Sequence, residues 1–495
     1  MDCGRGARRS GTAPKETLIY TRRKLLKTAA YGALAIAAPG MRVAAAAEEY
    51  ASKRPPVGQR KFTSRAVEET IARVKAGIGD PQLSWMFENC YPNTLDTTVE
   101  VSKADGRADT FIITGDIDAM WLRDSSCQVW PYVPLAKNDN ELQGMFRGLI
   151  GRQARCILLD PYANAFLPDP SRKKPLSWAV DDLTDMRPGV AERKWEVDSL
   201  CYCIRLSHGY WKATGDAVPF DKEWTQAMRL VVITFREQQR KQGVGPYRFQ
   251  RRTEVPTDTL ALGGYGNPAR PAGMIYSMFR PSDDACQYSL FVPANLFAVV
   301  SLRQLGEMSN EVLHDVAFAG ECDALASEVE AAVGKYGRRK ESDGEVWAYE
   351  VDGYGNQLFM DDANIPGLLS LPYLGCCSLG DAVYRRTRRM VLSERNPYFF
   401  KGSAAEGIGG PHVGLDMIWP MGIITRALTS NDDAEIRQCL VWIKTTTAGT
   451  GFVHEASNKD DPRKFTRSWF AWGNSLFGEL IVRLSEERPG LLKAA

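Results

Sequence analysis

The chain has 495 residues, 44% of them hydrophobic and 25% charged, with a formal net charge of +2. These proportions describe a globular chain with one large or two medium cores, and they exclude a coiled coil, a collagen-like repeat and a disordered chain. Twelve Trp, 18 Tyr and 19 Phe are enough aromatic surface to stack on a ligand as well as to fill a large core.

The N-terminus has its own pattern. In "YTRRKLLKTAAYGALAIAAPGMRVAAAAEEY" the basic residues Arg22, Arg23, Lys24 and Lys27 precede an Ala-rich apolar run and small residues at Ala44 to Ala47. That is the layout of a signal peptide, and Arg22–Arg23 followed by Leu25 and Leu26 resembles a twin-arginine export signal. Residues 1–47 are expected to be removed near Ala46–Glu48, leaving 48–495 as one domain that passes through the twin-arginine machinery to the periplasm or outside. An ordinary secretory signal or an uncleaved anchor has a similar layout. Residues 1–47 carry +7, so the mature chain would carry −5, which argues against nucleic acid as a partner. No later segment has about 18 unbroken apolar residues, so no stable membrane association is expected after cleavage. Ten cysteines follow residue 47. Cys201-x-Cys203 and Cys376–Cys377 are too tight for a zinc ribbon, and core packing is the expectation for most of them.

Helix-period apolar patterns recur along the rest of the chain, near 65–77, 120–136, 139–157, 196–214, 218–240, 284–305, 309–335, 361–370, 378–395, 414–428, 432–447 and 469–486. The stretch 97–116 alternates and contains Asp105-Gly106, a hairpin signal. Short connections (137–138, 215–217, 306–308, 429–431) alternate with long ones (158–195, 243–283, 336–360, 396–413, 448–468). Twelve helices joined in this way suggest six helical hairpins closed into a ring, with the long connections gathered at one end; an open helical superhelix would give a similar pattern. Long ordered connections commonly carry function.

The polar clusters fall where long connections meet helices. Asp116, Asp118, Arg123 and Asp124 lie in "TGDIDAMWLRDSS", Glu196 and Asp198 in "KWEVDSLCY", and Asp283 and Asp284 in "FRPSDDACQY". Asp361 and Asp362 lie in "FMDDANIP", Glu406 and His412 in "AAEGIGGPHVG", and His454 and Glu455 in "GFVHEAS". Each acid alone is explained by capping a helix N-terminus. Capping does not call for Trp121, Trp195, Trp419, Trp469 and Trp472 in the same places. Carboxylates that accept several hydroxyls, beside indole faces that stack on sugar C–H surfaces, suggest a carbohydrate cleft.

Other chemistries fit poorly. His454-Glu455 would need a second His where Asn458 stands to form a zinc protease helix. The four His (His208, His314, His412, His454) have no ligand spacing, no EF-hand loop is present, and "GGYGNP" lacks the Lys-Ser/Thr of a phosphate loop. Neither a metal nor a cofactor is expected. The many carboxylates that remain are the equipment of glycoside hydrolysis.

"TGDIDAMWLRDSS", "DPYANAF", "KWEVDSLCY", "FRPSDDACQYSLFVPANLFAVV", "GGPHVGLDMIWPMGI" and "GFVHEASNKDDPRKFTRSWFAWGNSLFGELI" together resemble glycoside hydrolase family 125, the exo-acting, metal-independent α-1,6-mannosidases. The resemblance covers about residues 60 to 486. It implies an all-α (α/α)6 barrel with a small β-hairpin elaboration, an α-mannoside glycan as substrate, and inversion by two carboxyl groups. Glu455 would be the general base. Asp283, preferred over Asp284, would be the general acid. Asp284, Asp116, Asp118, Trp121, Arg123, Asp124, Glu196, Asp198, His412, His454 and Trp469 would contact the sugar or tune the acids. The rival readings are another inverting (α/α)6 glycosidase, acting on α-glucosides for example, and a non-catalytic glycan-binding protein.

Overall fold

The computed structural model describes residues 50–104 and 106–493; the export signal expected over 1–47 lies outside them. Twelve α-helices of eight residues or more occur among the described residues: α1 (Arg65–Lys75), α2 (Pro81–Cys90), α3 (Leu122–Val129), α4 (Asn140–Leu159), α5 (Val197–Thr214), α6 (Lys222–Glu237), α7 (Val292–Glu311), α8 (Val316–Tyr336), α9 (Ala382–Val391), α10 (Pro420–Leu428), α11 (Asp433–Thr446) and α12 (Ala471–Glu487). Helix α3 packs on α5, α5 on α7 and α10 on α12, and α12 returns to α3. Helices α4, α6, α8 and α11 lie outside that ring, α8 against α7 and α11 against α10. The result is an (α/α)6 barrel with a continuous apolar core, in which Leu122, Leu200, Phe297, Ile423 and Phe477 are all fully buried.

The wall between α7 and α10 departs from expectation. Residues 361–370 form successive turns rather than a helix. Pro366 and Gly367 disfavour a helix there, and the Asp361 carboxylate takes the backbone N–H groups of Leu368 and Leu369 at 2.7 and 2.8 Å. Helix α2 was not expected, although Asp80 caps it and Pro81 opens it, an ordinary start signal. The expected hairpin forms: Val99–Ala104 pairs antiparallel with Arg107–Ile112, and Gly106 turns the chain at φ +77°. Its Asp105 lies outside the described residues.

Three small sheets order the long connections. Met120–Trp121, which leads into α3, pairs with Ala165–Phe166, and that strand pairs with Val190–Glu192. Leu290–Phe291, before α7, pairs with Glu350–Val351, which pairs with Gln357–Leu358. Met417–Ile418, before α10, pairs with Ala456–Asn458, which pairs with Phe465–Thr466. Each sheet ties a long connection to the start of an inner helix.

The caps divide the helices into two classes. The outer helices begin on side chains that accept a backbone N–H: Asp139 before α4, Asp221 before α6, Asp315 before α8, Asp381 before α9 and Asp432 before α11. The inner helices α3, α5, α7, α10 and α12 begin at Trp121, Glu196, Phe291, Trp419 and Phe470, and none has a side-chain cap. The acids at the inner helix starts are therefore not caps.

Candidate active site

Arg123, in the first turn of α3, is 3% exposed and gathers four carboxyl groups. Its Nη1 donates to Glu196 Oε2 at 2.6 Å and to Asp198 Oδ2 at 3.2 Å. Its Nε faces Asp124 Oδ2 at 3.5 Å and its Nη2 faces Asp283 Oδ1 at 3.8 Å. Glu196 and Asp198 are fully buried. Burial pushes both carboxyls well above the ordinary carboxylate range; Arg123 opposes the shift and the neighbouring Asp283 adds to it. One guanidinium cannot neutralise four carboxylates, so protons remain in the cluster.

Asp283 is held from behind. It adopts φ +65°, a left-handed conformation that costs a non-glycine residue about 1–3 kcal/mol. The buried Lys194 donates to its backbone carbonyl and to Asp258 Oδ1, both at 2.7 Å. Asn164 donates to Asp283 Oδ1 at 3.3 Å and to Glu192 Oε2 at 3.2 Å, and accepts from Lys194 N at 3.0 Å. The neighbouring Asp284 faces elsewhere, toward Ser282 Oγ at 3.4 Å and His412 Nδ1 at 3.6 Å.

Glu455 lies at the start of the strand Ala456–Asn458 and is 8% exposed. Arg467 Nη1 reaches its Oε1 at 3.4 Å, while the same guanidinium grips Asp116. Arg467 is itself left-handed, at φ +48°. A continuous path joins the two carboxylates. The Arg467 guanidinium lies over the Phe470 ring at 5.7 Å, Phe470 meets Trp472 at 6.4 Å, and Trp472 meets Arg123 at 5.8 Å, next to Asp283. A branch runs from Phe470 to Trp419 at 5.8 Å and on to His412 at 6.3 Å, beside Asp284. The starts of α3, α5, α10 and α12, with the connection into α7, thus bring Arg123, Asp124, Glu196, Asp198, Asp283, Asp284, His412, Glu455 and Asp116 into one constellation.

The remaining expected residues sit apart from it. His454 is fully buried, stacked on Phe465 at 3.8 Å, with Nε2 at 2.9 Å from the Thr447 carbonyl and Nδ1 at 3.1 Å from the Arg467 carbonyl. The ring braces the loop that carries Glu455 by donating from one nitrogen in its neutral form, and burial holds it below its ordinary value. Trp121 is 2% exposed, in a small cluster with Ala119, Ala165, Leu167 and Ala191. Trp469 is half-buried over Gly115, and Asp118 is exposed. Asn164 and Lys194 were not singled out from sequence, although both lie in the quoted segments "DPYANAF" and "KWEVDSLCY". Among the described residues, no three His, Cys, Asp or Glu side chains are grouped to hold a metal ion.

Residues 80–482 match the family described as metal-independent alpha-mannosidase (GH125). A Schizosaccharomyces pombe protein described as meiotically up-regulated gene 157 protein is 44% identical over 459 residues, covering 89% of this chain and 90% of the relative. A solved Streptococcus pneumoniae structure, described among metal-independent alpha mannosidases as a non-productive complex with alpha-1,6-mannobiose, is 39% identical with a TM-score of 0.82; the likeness covers 86% of this chain and all of that one. A bacterial glucoamylase complexed with acarbose, at 10% identity and a TM-score of 0.51 over 87% of this chain and 59% of its own, shares the fold alone. With four-fifths of its length matched by the family and its barrel shared with that structure, the chain belongs to glycoside hydrolase family 125, the metal-independent alpha-mannosidases.

Proposed function

We propose that this chain is an exo-acting α-mannosidase that removes terminal α-1,6-linked mannose with inversion, from N-glycan or mannan fragments. The carrying observation is the path from Glu455 through Arg467, Phe470, Trp472 and Arg123 to Asp283, which sets two carboxyl groups around one aromatic centre. The α-1,6-mannobiose bound by the 39%-identical Streptococcus pneumoniae protein supports the linkage.

In this reading Asp283 is the general acid. It lies among carboxyls that outnumber their cations, so it meets substrate protonated and gives that proton to the glycosidic oxygen as the C1–O bond breaks. Glu455 is the general base: held beside the Arg467 guanidinium, it takes a proton from the water that attacks C1 from the opposite face. Inversion needs carboxyls about 6.5–9.5 Å apart to admit that water. Asp284, His412 and Asp124 are placed for sugar hydroxyls, while Asp116 anchors Arg467.

NMR of the first product anomer from an α-1,6-mannoside tests activity, linkage and stereochemistry together. β-Mannose is expected; α-mannose first would refute inversion, and release of glucose but no mannose from a linkage panel would refute the substrate. Glu455→Gln should lower kcat by about 10³-fold or more, the order of a general-base contribution with its positioning; near wild-type turnover would remove Glu455 from the role. Export through the twin-arginine route is part of the same reading. The ten cysteines after residue 47 are all free thiols, eight of them buried, as suits a protein folded before export. Replacing Arg22 and Arg23 by Lys should hold the enzyme in the cytoplasm; unchanged export would refute the route.

A further inference from the structure

Glu196 is, with Asp198, the most deeply buried of the carboxyl groups around Arg123. It is fully buried. Its Oε2 accepts from Arg123 Nη1 at 2.6 Å and from Ser199 Oγ at 3.0 Å, while its Oε1 finds no N–H or O–H donor. Glu196 and Asp283 instead face the same guanidinium, Glu196 at 2.6 Å from Arg123 Nη1 and Asp283 at 3.8 Å from Nη2. Two neighbouring carboxyl groups can share a hydrogen bond only when one keeps its proton. The surrounding charges make the same demand. Arg123 is the cation among Glu196, Asp198, Asp124 and Asp283. Lys194, which reaches the Asp283 carbonyl, is matched by Asp258. The Tyr247 hydroxyl on the other side donates to the Arg193 carbonyl and accepts from Trp195 N. His412 is turned to Asp284.

The geometry points to Glu196 as the positioning residue that keeps Asp283 protonated, by sharing one proton with it behind the pocket. Glu196 does not touch substrate in this role. Its buried carboxyl makes full ionisation of the pair costly, so the shared proton is retained into the pH range where an isolated aspartate would have lost it. Burial, which holds Glu196 well above the ordinary range against the pull of Arg123, acts in the same direction. The inference rests on the reading of Asp283 as the general acid, and the experiment separates the two.

Glu196→Gln and Asp283→Asn are compared with wild type on α-1,6-mannobiose, whose leaving group needs a proton, and on α-mannosyl fluoride, whose leaving group does not. Glutamine keeps the size of Glu196 and removes its charge. The Glu196→Gln profile of kcat/KM on mannobiose should have its alkaline limb moved down by about one pH unit, the order expected for loss of a neighbouring carboxylate. Hydrolysis of the fluoride should stay within about threefold, because acid catalysis contributes little to an activated leaving group. An unmoved limb, with both substrates slowed alike at every pH, overturns the inference and leaves a structural role. Asp283→Asn should lose mannobiose hydrolysis and keep the fluoride; if it turns over mannobiose at the wild-type rate, the acid reading fails, and this inference with it. Should Glu196→Gln fail to fold, carboxyl-carbon NMR of the wild type decides. The Glu196 resonance must titrate together with that of Asp283, and a Glu196 that stays a carboxylate through the acid end of the activity range overturns the proposal.

Discussion

Arg467 offers the sharpest test of how the base is held. Its guanidinium spans Glu455 at 3.4 Å and Asp116, with the side chains of Arg467 and Glu455 each 10% exposed and that of Asp116 52% exposed. Arg467→Met removes the charge, keeps an unbranched aliphatic stem, and leaves the backbone conformation at 467 no more strained than before. Two charges about 4 Å apart attract by about 4 kcal/mol at an effective dielectric near 20, but desolvation and side-chain ordering offset much of that. A charge-assisted hydrogen bond nets about 1.5–3 kcal/mol. At about 1.4 kcal/mol per tenfold, kcat should fall roughly 10- to 150-fold with little change in KM. Asp116→Asn breaks only the exposed half of the bridge, worth about 0–1 kcal/mol, so its loss should not exceed about fivefold. Asp116 acts on Glu455 only through Arg467. The double variant should therefore match Arg467→Met alone, giving a coupling energy equal to the whole Asp116 effect. Steady-state kinetics on α-1,6-mannobiose measures all four corners of the cycle. Multiplicative effects, or Arg467→Met within about threefold of wild type, would refute the argument that this bridge positions the base.

His454 gives a pH-dependent stability. Burial holds its folded value below the ordinary 6.5, so the unfolded chain takes up a proton that the folded ring refuses. The stabilisation is complete above about pH 6.5 and is lost as pH falls from there toward the folded value, by at most about 1.4 kcal/mol per pH unit. Melting temperatures should drop across that window in wild type and less steeply in His454→Gln; parallel slopes would exclude His454 as the source. Gly148 lies inside α4, where alanine would ordinarily gain about 1 kcal/mol. A Cβ there would stand 2.9 Å from the backbone of Asp109 and Thr110, so Gly148→Ala should instead cost about 1–3 kcal/mol through overpacking; a raised melting temperature would show that the hairpin yields. A chelator should leave activity intact, and loss restored by calcium would contradict a metal-independent reaction.

The helices and their alternating short and long connections were legible in the sequence, because hydrophobic period and turn chemistry are local, but that pattern fitted an open superhelix as well as a ring, and the barrel came from the family resemblance. The pattern misplaced elements where local signals compete. The helix expected over 284–305 begins only at Val292, since residues 284–289 turn into the strand Leu290–Phe291 and Pro293 favours a start at its own position. The helix expected over 361–370 is lost to the Asp361 carboxylate, which takes two N–H groups that a helix would have used. The candidate site was legible as a set of acids and indoles, but not in its pairing. Arg123 meets Glu196 across 73 residues of chain and Arg467 meets Asp116 across 351, and no periodicity carries such distances.

The caps explain why the pairing matters more than the inventory. An aspartate or serine before a helix is worth about 1 kcal/mol when it accepts an N–H of the first turn, and the outer helices α4, α6, α8, α9 and α11 all gain that stabilisation. Glu196 stands at the cap position of α5 with a carboxylate in reach and does not cap it; its Oε2 goes to Arg123 and Ser199 instead. The other inner helices start on Trp121, Phe291, Trp419 and Phe470, side chains that cannot cap at all. Stability is given up at the same end of the ring for every inner helix. The acids released from capping face one another around Arg123, and the helix starts carry the rings that join Arg123 to Arg467. Local rules fail together at one place, which is where a fold makes room for chemistry.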